Sequence, residues 1–136
     1  MLRETKLKQN VAEEILESAR SAPSVESCGL LAGRDSVITR TFPARNAAIH
    51  PTTAYEIAPE ELFRLMREIR ANGLELLGIY HSHPAGNNAP SERDIARAYY
   101  PDAAYFILSP HPDVANPIRA FLIREGSAAE LDIQIT

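Results

Sequence analysis

The sequence is poor in cysteine, with Cys28 as its single example. A lone thiol excludes an intramolecular disulfide framework and suits a reducing compartment. No run approaches the roughly 18 apolar residues that a membrane span requires, and the first residues lack the apolar core of a signal peptide. We therefore expect a cytoplasmic protein that is not inserted in a membrane.

An excess of basic residues is also absent. Lysine and arginine total 14 against 18 aspartates and glutamates, which gives a net charge of −4. This balance provides no basic surface for nucleic acid and no polybasic patch for an anionic membrane. Hydrophobic residues make up 45% and charged residues 24% of the 136 positions, as in an ordinary globular protein, and we expect one domain over residues 1–136.

Two familiar zinc-enzyme patterns are missing as well. There is no His-Glu-x-x-His string, which excludes a thermolysin-like helical site. A single cysteine cannot supply the Pro-Cys-x-x-Cys string of the zinc deaminases.

The apolar periodicity predicts an α+β protein, in which a mixed sheet is flanked by three helices in an α/β/α-like arrangement. The helices are predicted over residues 10–22, 59–73 and 91–99, the first opened by a capping box from Asn10 to Glu13. The strands are predicted over residues 2–7, 28–32, 37–42, 54–57, 74–80, 103–108, 118–123 and 130–135.

The residues most informative about function follow the apolar run 74–80. Side chains two apart on a strand share a face, so His81 and His83 leave its end side by side. Pro84 ends the strand because it cannot donate a ladder hydrogen bond. After a loop, Ser91 has the character of a helix cap and Asp94 falls in the first turn. Two imidazoles and a carboxylate can bind zinc and leave a fourth position for water, as catalytic zinc sites do.

Each part of this pattern also has an ordinary structural explanation. The two histidines could form a simple hydrogen-bonded pair, and Ser91 with Asp94 fits a capping box. His50 and His111 lie in predicted loops, where exposure is expected. Cys28 is expected to be inert core rather than a nucleophile, because nothing near it indicates an activated thiol.

The complete string of His-x-His-Pro, six residues, Ser, two residues and Asp closely resembles the metal-binding signature of the JAMM (MPN-plus) metalloprotease family. A second string, Glu-x-Cys-Gly-Leu-Leu-x-Gly from Glu26 to Gly33, resembles the amino-terminal signature of the bacterial and archaeal branch of that family. The resemblance covers essentially the whole chain. It implies the family fold, which is similar to that of cytidine deaminases.

The resemblance also implies roles for five residues. His81, His83 and Asp94 would hold one Zn²⁺ per chain, with water in the open position. Glu26 would be the general base that activates this water, although an acidic residue before a strand is usually solvated when judged alone. Ser91 would donate a hydrogen bond to the developing oxyanion, a role that competes with helix capping for one hydroxyl.

Members of this family cleave peptide or isopeptide bonds at the C-terminal Gly-Gly tail of ubiquitin or ubiquitin-like proteins. The form of the Glu26 string is most similar to that of bacterial members that act on sulfur-carrier proteins, including those that release cysteine from a carrier–cysteine adduct. We expect such a tail to add as an extra strand along an exposed sheet edge.

Two rival functions are a non-catalytic scaffold and a DNA-associated role. A scaffold relative would be expected to lack a ligand residue, and none is missing here. RadC-type relatives, which have been linked to DNA processes, share a similar histidine string but lack the string that begins at Glu26.

Overall fold

The structure is a computed structural model and describes residues 3–136. Within this range, the chain forms three helices and seven strands. They are β1 (Glu4–Leu7), α1 (Gln9–Ser21), β2 (Cys28–Arg34), β3 (Val37–Ala44), α2 (Pro59–Ala71), β4 (Glu75–Ser82), α3 (Glu92–Ala96), β5 (Ala104–Leu108), β6 (Ile118–Arg124) and β7 (Ser127–Ile135).

The strands form one mixed sheet in the order β1-β3-β2-β4-β5-β6-β7. β1 runs parallel to β3 and to β7, and β4 runs parallel to β5, while the other neighbours are antiparallel. Because β1 pairs with β3 at one end and β7 at the other, the sheet closes on itself. The predicted α+β class is confirmed. The apolar pattern does not predict that the sheet closes on itself.

Each face of the sheet has its own hydrophobic core. The first, the α1 core, receives the buried side chains of α1, and the second, the α2 core, receives Leu65 and Ile69 of α2. In β2, Leu31 belongs to the α1 core, whereas Leu30 and Ala32 belong to the α2 core. Apolar cover on both faces explains why β2 is a continuous hydrophobic run rather than an alternating one.

The same alternation along β4 sets the directions of the functional side chains. Ile79 packs in the α2 core and Tyr80 in the α1 core. With a side-chain period of two, His81 is directed to the α2 side of the sheet and Ser82 to the α1 side.

The predicted hairpin between β2 and β3 is confirmed. Its turn residues Asp35 and Ser36 have φ values of 53° and 64°. Close backbone approach at Gly29 is also confirmed, because a Cβ there would lie 2.6 Å from the Tyr80 ring and 2.7 Å from the Phe42 carbonyl oxygen. A larger residue would therefore displace the neighbouring strands.

The strand predicted over residues 54–57 is wrong. The segment has no regular secondary structure, although the Glu56 N–H donates to Asn46 Oδ1 at 3.2 Å and the Glu56 carbonyl accepts from the Ala47 N–H at 2.7 Å. The main-chain groups of Tyr55 and Ile57 have no hydrogen-bond partner in the described chain. Strand propensity is present here, but the regular main-chain ladder that would make the segment a strand is not.

The predicted start of the first helix and the predicted end of the third helix are wrong. The capping box at Asn10 is wrong, because α1 begins one residue earlier and Lys8, in an extended conformation, occupies the cap position without a side-chain bond. The third helix ends at Ala96 rather than Tyr99. The Tyr100 N–H donates to the Tyr105 hydroxyl at 3.1 Å, which turns the chain away from helical geometry.

The remaining predicted elements are present with ends that differ by up to three residues. The first strand was predicted from Leu2, which lies outside the described residues. Among residues 3–136, no helix combines the length and the apolar character needed to cross a bilayer.

Candidate metal centre

Strand β4 and the residue after it place the two histidines. His81 is the penultimate residue of β4 and is 1% exposed. The main-chain N–H of His83 donates to the Leu108 carbonyl at 2.8 Å, which extends the pairing with β5 past the end of the strand. The two side chains therefore share a face, and their Nε2 atoms lie 3.1 Å apart.

The first turn of α3 brings Asp94 to this pair. Ser91 Oγ accepts from the Asp94 N–H at 3.0 Å, and Asp94 Oδ2 accepts from the Ser91 N–H at 2.9 Å, so the predicted capping box is confirmed. The same carboxylate lies 3.2 Å from His81 Nε2 and 3.0 Å from His83 Nε2. Its side chain is 8% exposed and faces the imidazoles rather than solvent.

Glu26 completes the cluster from the segment before β2. One ligand atom from each of Glu26, His81 and His83 lies within 4.8 Å of the other two. Glu26 is 5% exposed, and its Oε1 is buried without a hydrogen-bond partner in the described chain. The structure thus brings together all four side chains that the sequence strings proposed for the metal and the base.

Neighbouring groups orient the imidazoles. His83 Nδ1 donates to the Asn87 carbonyl oxygen at 2.6 Å, so Nε2 is the ring nitrogen that remains for a metal. The Tyr55 ring stacks on the His81 ring with centroids 4.4 Å apart and planes 20° apart. Both rings are therefore fixed before any ligand binds.

Burial and the hydrogen bonds among the side chains set the electrostatics of the cluster. Burial raises the pKa of Glu26 to about 7, and the pKa is lowered in part by His83. Burial lowers the pKa of His81, which keeps this ring neutral. At Asp94 burial favours the acid form, but hydrogen bonds from both imidazoles outweigh it and hold the pKa well below its usual range. Burial would lower the pKa of His83, but its hydrogen bonds to Asp94 and to the Asn87 carbonyl outweigh burial and raise this pKa. The cluster thus offers a carboxylate and a neutral His81, and a metal that binds here would displace a proton from His83.

Composition and spacing both fit a zinc ion. Nitrogens about 2.0–2.1 Å from a tetrahedral zinc are about 3.3 Å from each other. The three contacts among His81, His83 and Asp94 measure 3.0–3.2 Å, close to one face of such a tetrahedron. The ligand atoms of Glu26, His81 and His83 lie up to 4.8 Å apart, so Asp94 is the better third ligand. The unpaired Glu26 oxygen is then available for a proton.

Ser91 can combine the two roles that competed for its hydroxyl. As a cap it uses Oγ only as an acceptor, from the Asp94 N–H. A serine hydroxyl also carries one donor, and no acceptor in the described chain takes that proton. The hydroxyl proton is therefore free for a substrate oxygen.

A cavity of about 330 Å³ opens beside Asp94. Its lining includes four tyrosines, two arginines and Glu56. Arg97 and Glu56 form an ion pair of 3.3 Å. The tyrosines and arginines are Tyr55, Tyr99, Tyr100, Tyr105, Arg93 and Arg97. Asp94 is the residue of the cluster that lines this cavity, together with Tyr55, Glu56 and Ile57 of the segment 54–57.

The remaining candidates behave as expected. Cys28 is 2% exposed, and burial raises the pKa of its thiol to about 12, which leaves almost no thiolate at neutral pH. His50 and His111 are exposed, and neither belongs to the cluster. Sequence reasoning missed Asn46, Tyr55 and Ser82 around the site, because no local string marks a residue that acts only through contacts distant in sequence.

A family model described as prokaryotic homologs of the JAB domain matches residues 8–123. A desampylase of Haloferax volcanii is 36% identical over 105 residues, which cover 76% of each chain. A probable TtuB-protein conjugate cleaving protease of Thermus thermophilus is 40% identical over 112 residues, covering 82% of this chain and 70% of that one. A CysO-cysteine peptidase of Mycobacterium tuberculosis is 28% identical over 131 residues, covering 95% and 89%.

Solved structures agree with this result. A protein of Desulfitobacterium hafniense, determined in solution, matches with a TM-score of 0.83 at 32% identity and covers 97% of this chain and 92% of its own. A structure described as a JAMM metalloprotease-like zinc site in the proteasome and signalosome matches with a TM-score of 0.61 at 22% identity, covering 96% and 97%, which shows a shared fold. The chain therefore belongs to the family of prokaryotic homologs of the JAB domain and is a metalloprotease-like hydrolase of the JAMM type.

Proposed function

We propose that the protein is a zinc-dependent peptidase or isopeptidase that hydrolyses the amide bond at the C-terminal Gly-Gly tail of a ubiquitin-like or sulfur-carrier protein. The observation that carries this proposal is the convergence of Glu26 on the triangle formed by His81, His83 and Asp94. The names of the relatives, which refer to sampylated, TtuB and CysO conjugates, support the substrate class.

In this mechanism, His81, His83 and Asp94 hold the ion. Bound zinc would polarise the scissile carbonyl and make a water reactive at neutral pH. Glu26 takes the proton of the attacking water and returns it to the departing amine, and its pKa of about 7 suits a group that acts first as base and then as acid. Ser91 donates its free hydroxyl proton to the oxyanion.

The tail would bind along the segment 54–57. The expected addition of a strand to an exposed sheet edge needs revision, because the sheet closes through β1. Tyr55 and Ile57, however, have unpaired main-chain groups and line the cavity beside Asp94. An extended tail would supply the missing ladder partner, and its small glycines would fit beside the stacked Tyr55 and His81 rings.

The direct test is cleavage of a carrier protein whose Gly-Gly tail is extended either by a single cysteine or through an isopeptide bond to a lysine. The zinc-loaded protein should release the carrier with its tail intact, chelation should stop the reaction, and added zinc should restore it. Cleavage that continues after zinc removal would exclude this mechanism. The relative rates on the two substrates identify the preferred bond.

The scaffold and DNA-associated alternatives receive no such support. A scaffold would leave both substrates intact with zinc bound. A DNA-associated role would require salt-dependent DNA binding, which the net charge of −4 disfavours.

A further inference from the structure

No group in the described chain holds the buried Oε1 of Glu26. The position of this carboxylate is therefore set by the main chain that carries it, the segment Val25–Ser27. Each of the six main-chain polar groups of this segment has a hydrogen-bond partner, and these six bonds fix the position of the segment.

Three of these six groups bond to main chain elsewhere. The Val25 N–H donates to Ala22 at 3.4 Å, the Glu26 N–H donates to Pro51 at 2.7 Å, and the Ser27 carbonyl accepts from the Ser82 N–H at 3.0 Å. The other three groups bond to only two side chains, those of Ser82 and Asn46.

Ser82 connects the base to the strand of the metal ligands. It stands between His81 and His83 and is 1% exposed. Its hydroxyl accepts from the Ser27 N–H at 2.8 Å and donates to the Val25 carbonyl at 3.5 Å, so it bonds to the residues on both sides of Glu26. The imidazoles face one side of β4 and the Ser82 hydroxyl faces the other, where it bonds the Glu26 segment.

Asn46 connects the base to the segment that lines the cavity. Its side-chain amide donates to the Glu26 carbonyl at 3.0 Å and to the Ala54 carbonyl at 2.9 Å. Its Oδ1 accepts from the main-chain N–H groups of Ala48 at 3.0 Å and Glu56 at 3.2 Å. One side chain thus joins Glu26 to the region where the substrate tail is proposed to bind.

We propose that Ser82 and Asn46 are positioning residues, which hold the Glu26 carboxylate over the imidazole pair without contacting metal or substrate. The inference rests on the proposed role of Glu26 and adds to it. It explains how a carboxylate with an unpaired oxygen is held beside the histidines, since every main-chain polar group around it has a fixed partner.

The kinetic test uses zinc-loaded Ser82→Ala. We expect kcat on a carrier conjugate to fall about 10–100-fold, as for other groups that orient catalytic residues, with KM and zinc stoichiometry unchanged. Ser82→Thr keeps a hydroxyl and should recover most of the activity. Wild-type kcat in Ser82→Ala, or zinc lost in proportion to activity, would overturn the proposal.

A second variant keeps the proposal testable if Ser82→Ala does not fold. Asn46→Asp keeps both accepted bonds and loses those donated to Glu26, Pro51 and Ala54, so it should lower kcat in the same way with zinc retained. The matched control is Ser109→Ala, which removes an equally buried hydroxyl that accepts from the His111 N–H at 3.3 Å and makes no hydrogen bond to the Val25–Ser27 segment. Equal losses in Asn46→Asp and the control would show a general stability effect and overturn the positioning role.

A structural measurement separates this inference from the proposed function. Crystal structures of zinc-loaded wild type and Ser82→Ala should show the Glu26 carboxylate displaced in the variant, while the contacts among His81, His83 and Asp94 are kept. An unmoved carboxylate would refute the positioning role. If wild type cleaves no tail conjugate, the proposed function fails, and the crystallographic comparison still decides what Ser82 does.

Discussion

At the scale of single residues, Glu26 and Asp94 are two carboxylates beside one histidine pair, and only one of them is needed as a ligand. Asp94 makes hydrogen-bond-length contacts to both imidazoles, whereas Oε1 of Glu26 is unpaired. The two acids therefore differ in their contacts to the imidazoles, and substitution of each can distinguish a metal ligand from a general base.

We predict that Glu26→Gln retains zinc and loses about 10²–10⁴-fold in kcat, which is the usual contribution of a general base. Glutamine preserves shape and removes the proton acceptor. Zinc content by metal analysis and single-turnover rates would measure the two effects, with His83→Ala as the control that should lose the metal. Loss of zinc in Glu26→Gln would show instead that Glu26 is a ligand.

Ser91 gives a second prediction at this scale. Ser91→Ala removes both the cap and the free hydroxyl proton, so it should lower stability by about 0.5–2 kcal/mol and kcat by about 10²–10³-fold. Ser91→Thr keeps both functions and serves as the control. Urea unfolding measures the first effect and initial rates the second. A variant that loses stability but keeps its kcat would leave Ser91 with a capping role only.

At the scale of elements, the β6–β7 pair carries an ion pair whose contribution depends on pH. Arg119 makes two hydrogen bonds to the Glu130 carboxylate, at 3.0 and 2.8 Å, and these lower the pKa of Glu130. A lowered folded-state pKa means that the stabilisation is present above the unfolded-state pKa and disappears as the pH falls through the folded value.

We therefore predict a coupling free energy of about 0.2–1 kcal/mol between Arg119→Ala and Glu130→Ala at neutral pH, small because both side chains are partly exposed. The coupling should vanish at a pH well below about 4.3, the unfolded-state value for glutamate. A double-mutant cycle by urea unfolding at the two pH values measures it. A coupling that persists in acid would contradict the assignment to ionised Glu130.

Elements with a strong local signal were predictable, and those determined by distant partners were not. α2 was predicted well because Pro59 and the apolar stripe are local features. The segment 54–57 has good strand composition, but its unpaired edge depends on a hydrogen bond to Asn46 that composition does not reveal. The early end of α3 likewise depends on the hydroxyl of Tyr105, beyond the helix itself.

The site was predictable for a different reason. The spacing of His81, His83 and Asp94 along one stretch is short, so local geometry almost determines their meeting, and the capping box that was the ordinary explanation also aims Asp94 inward. Glu26 could be joined to them only through the family resemblance. Ser82 and Asn46 became visible only when the main-chain bonds of the Glu26 segment were known.

At the scale of the whole molecule, the candidate metal centre joins parts of the chain that are distant in sequence. Zinc that binds the folded but not the unfolded chain stabilises the fold, by about 2.7 kcal/mol when free zinc is 100 times its dissociation constant. We predict a rise in melting temperature on zinc addition to metal-free protein, measured by calorimetry, and no such rise in His83→Ala. An equal rise in the variant would place the stabilising metal elsewhere.

The closed sheet has a consequence for how the protein is made. Glu4 pairs with Asp132 and Leu7 with Ile135, so the first strand finds its second neighbour only when residues near position 135 are available. A chain still emerging from the ribosome can complete the β2–β3 hairpin but cannot close the ring, and contacts of such large sequence separation form slowly. Residues 4–7 must therefore stay without their β7 partner until residues 132–135 have been made and are free to pair.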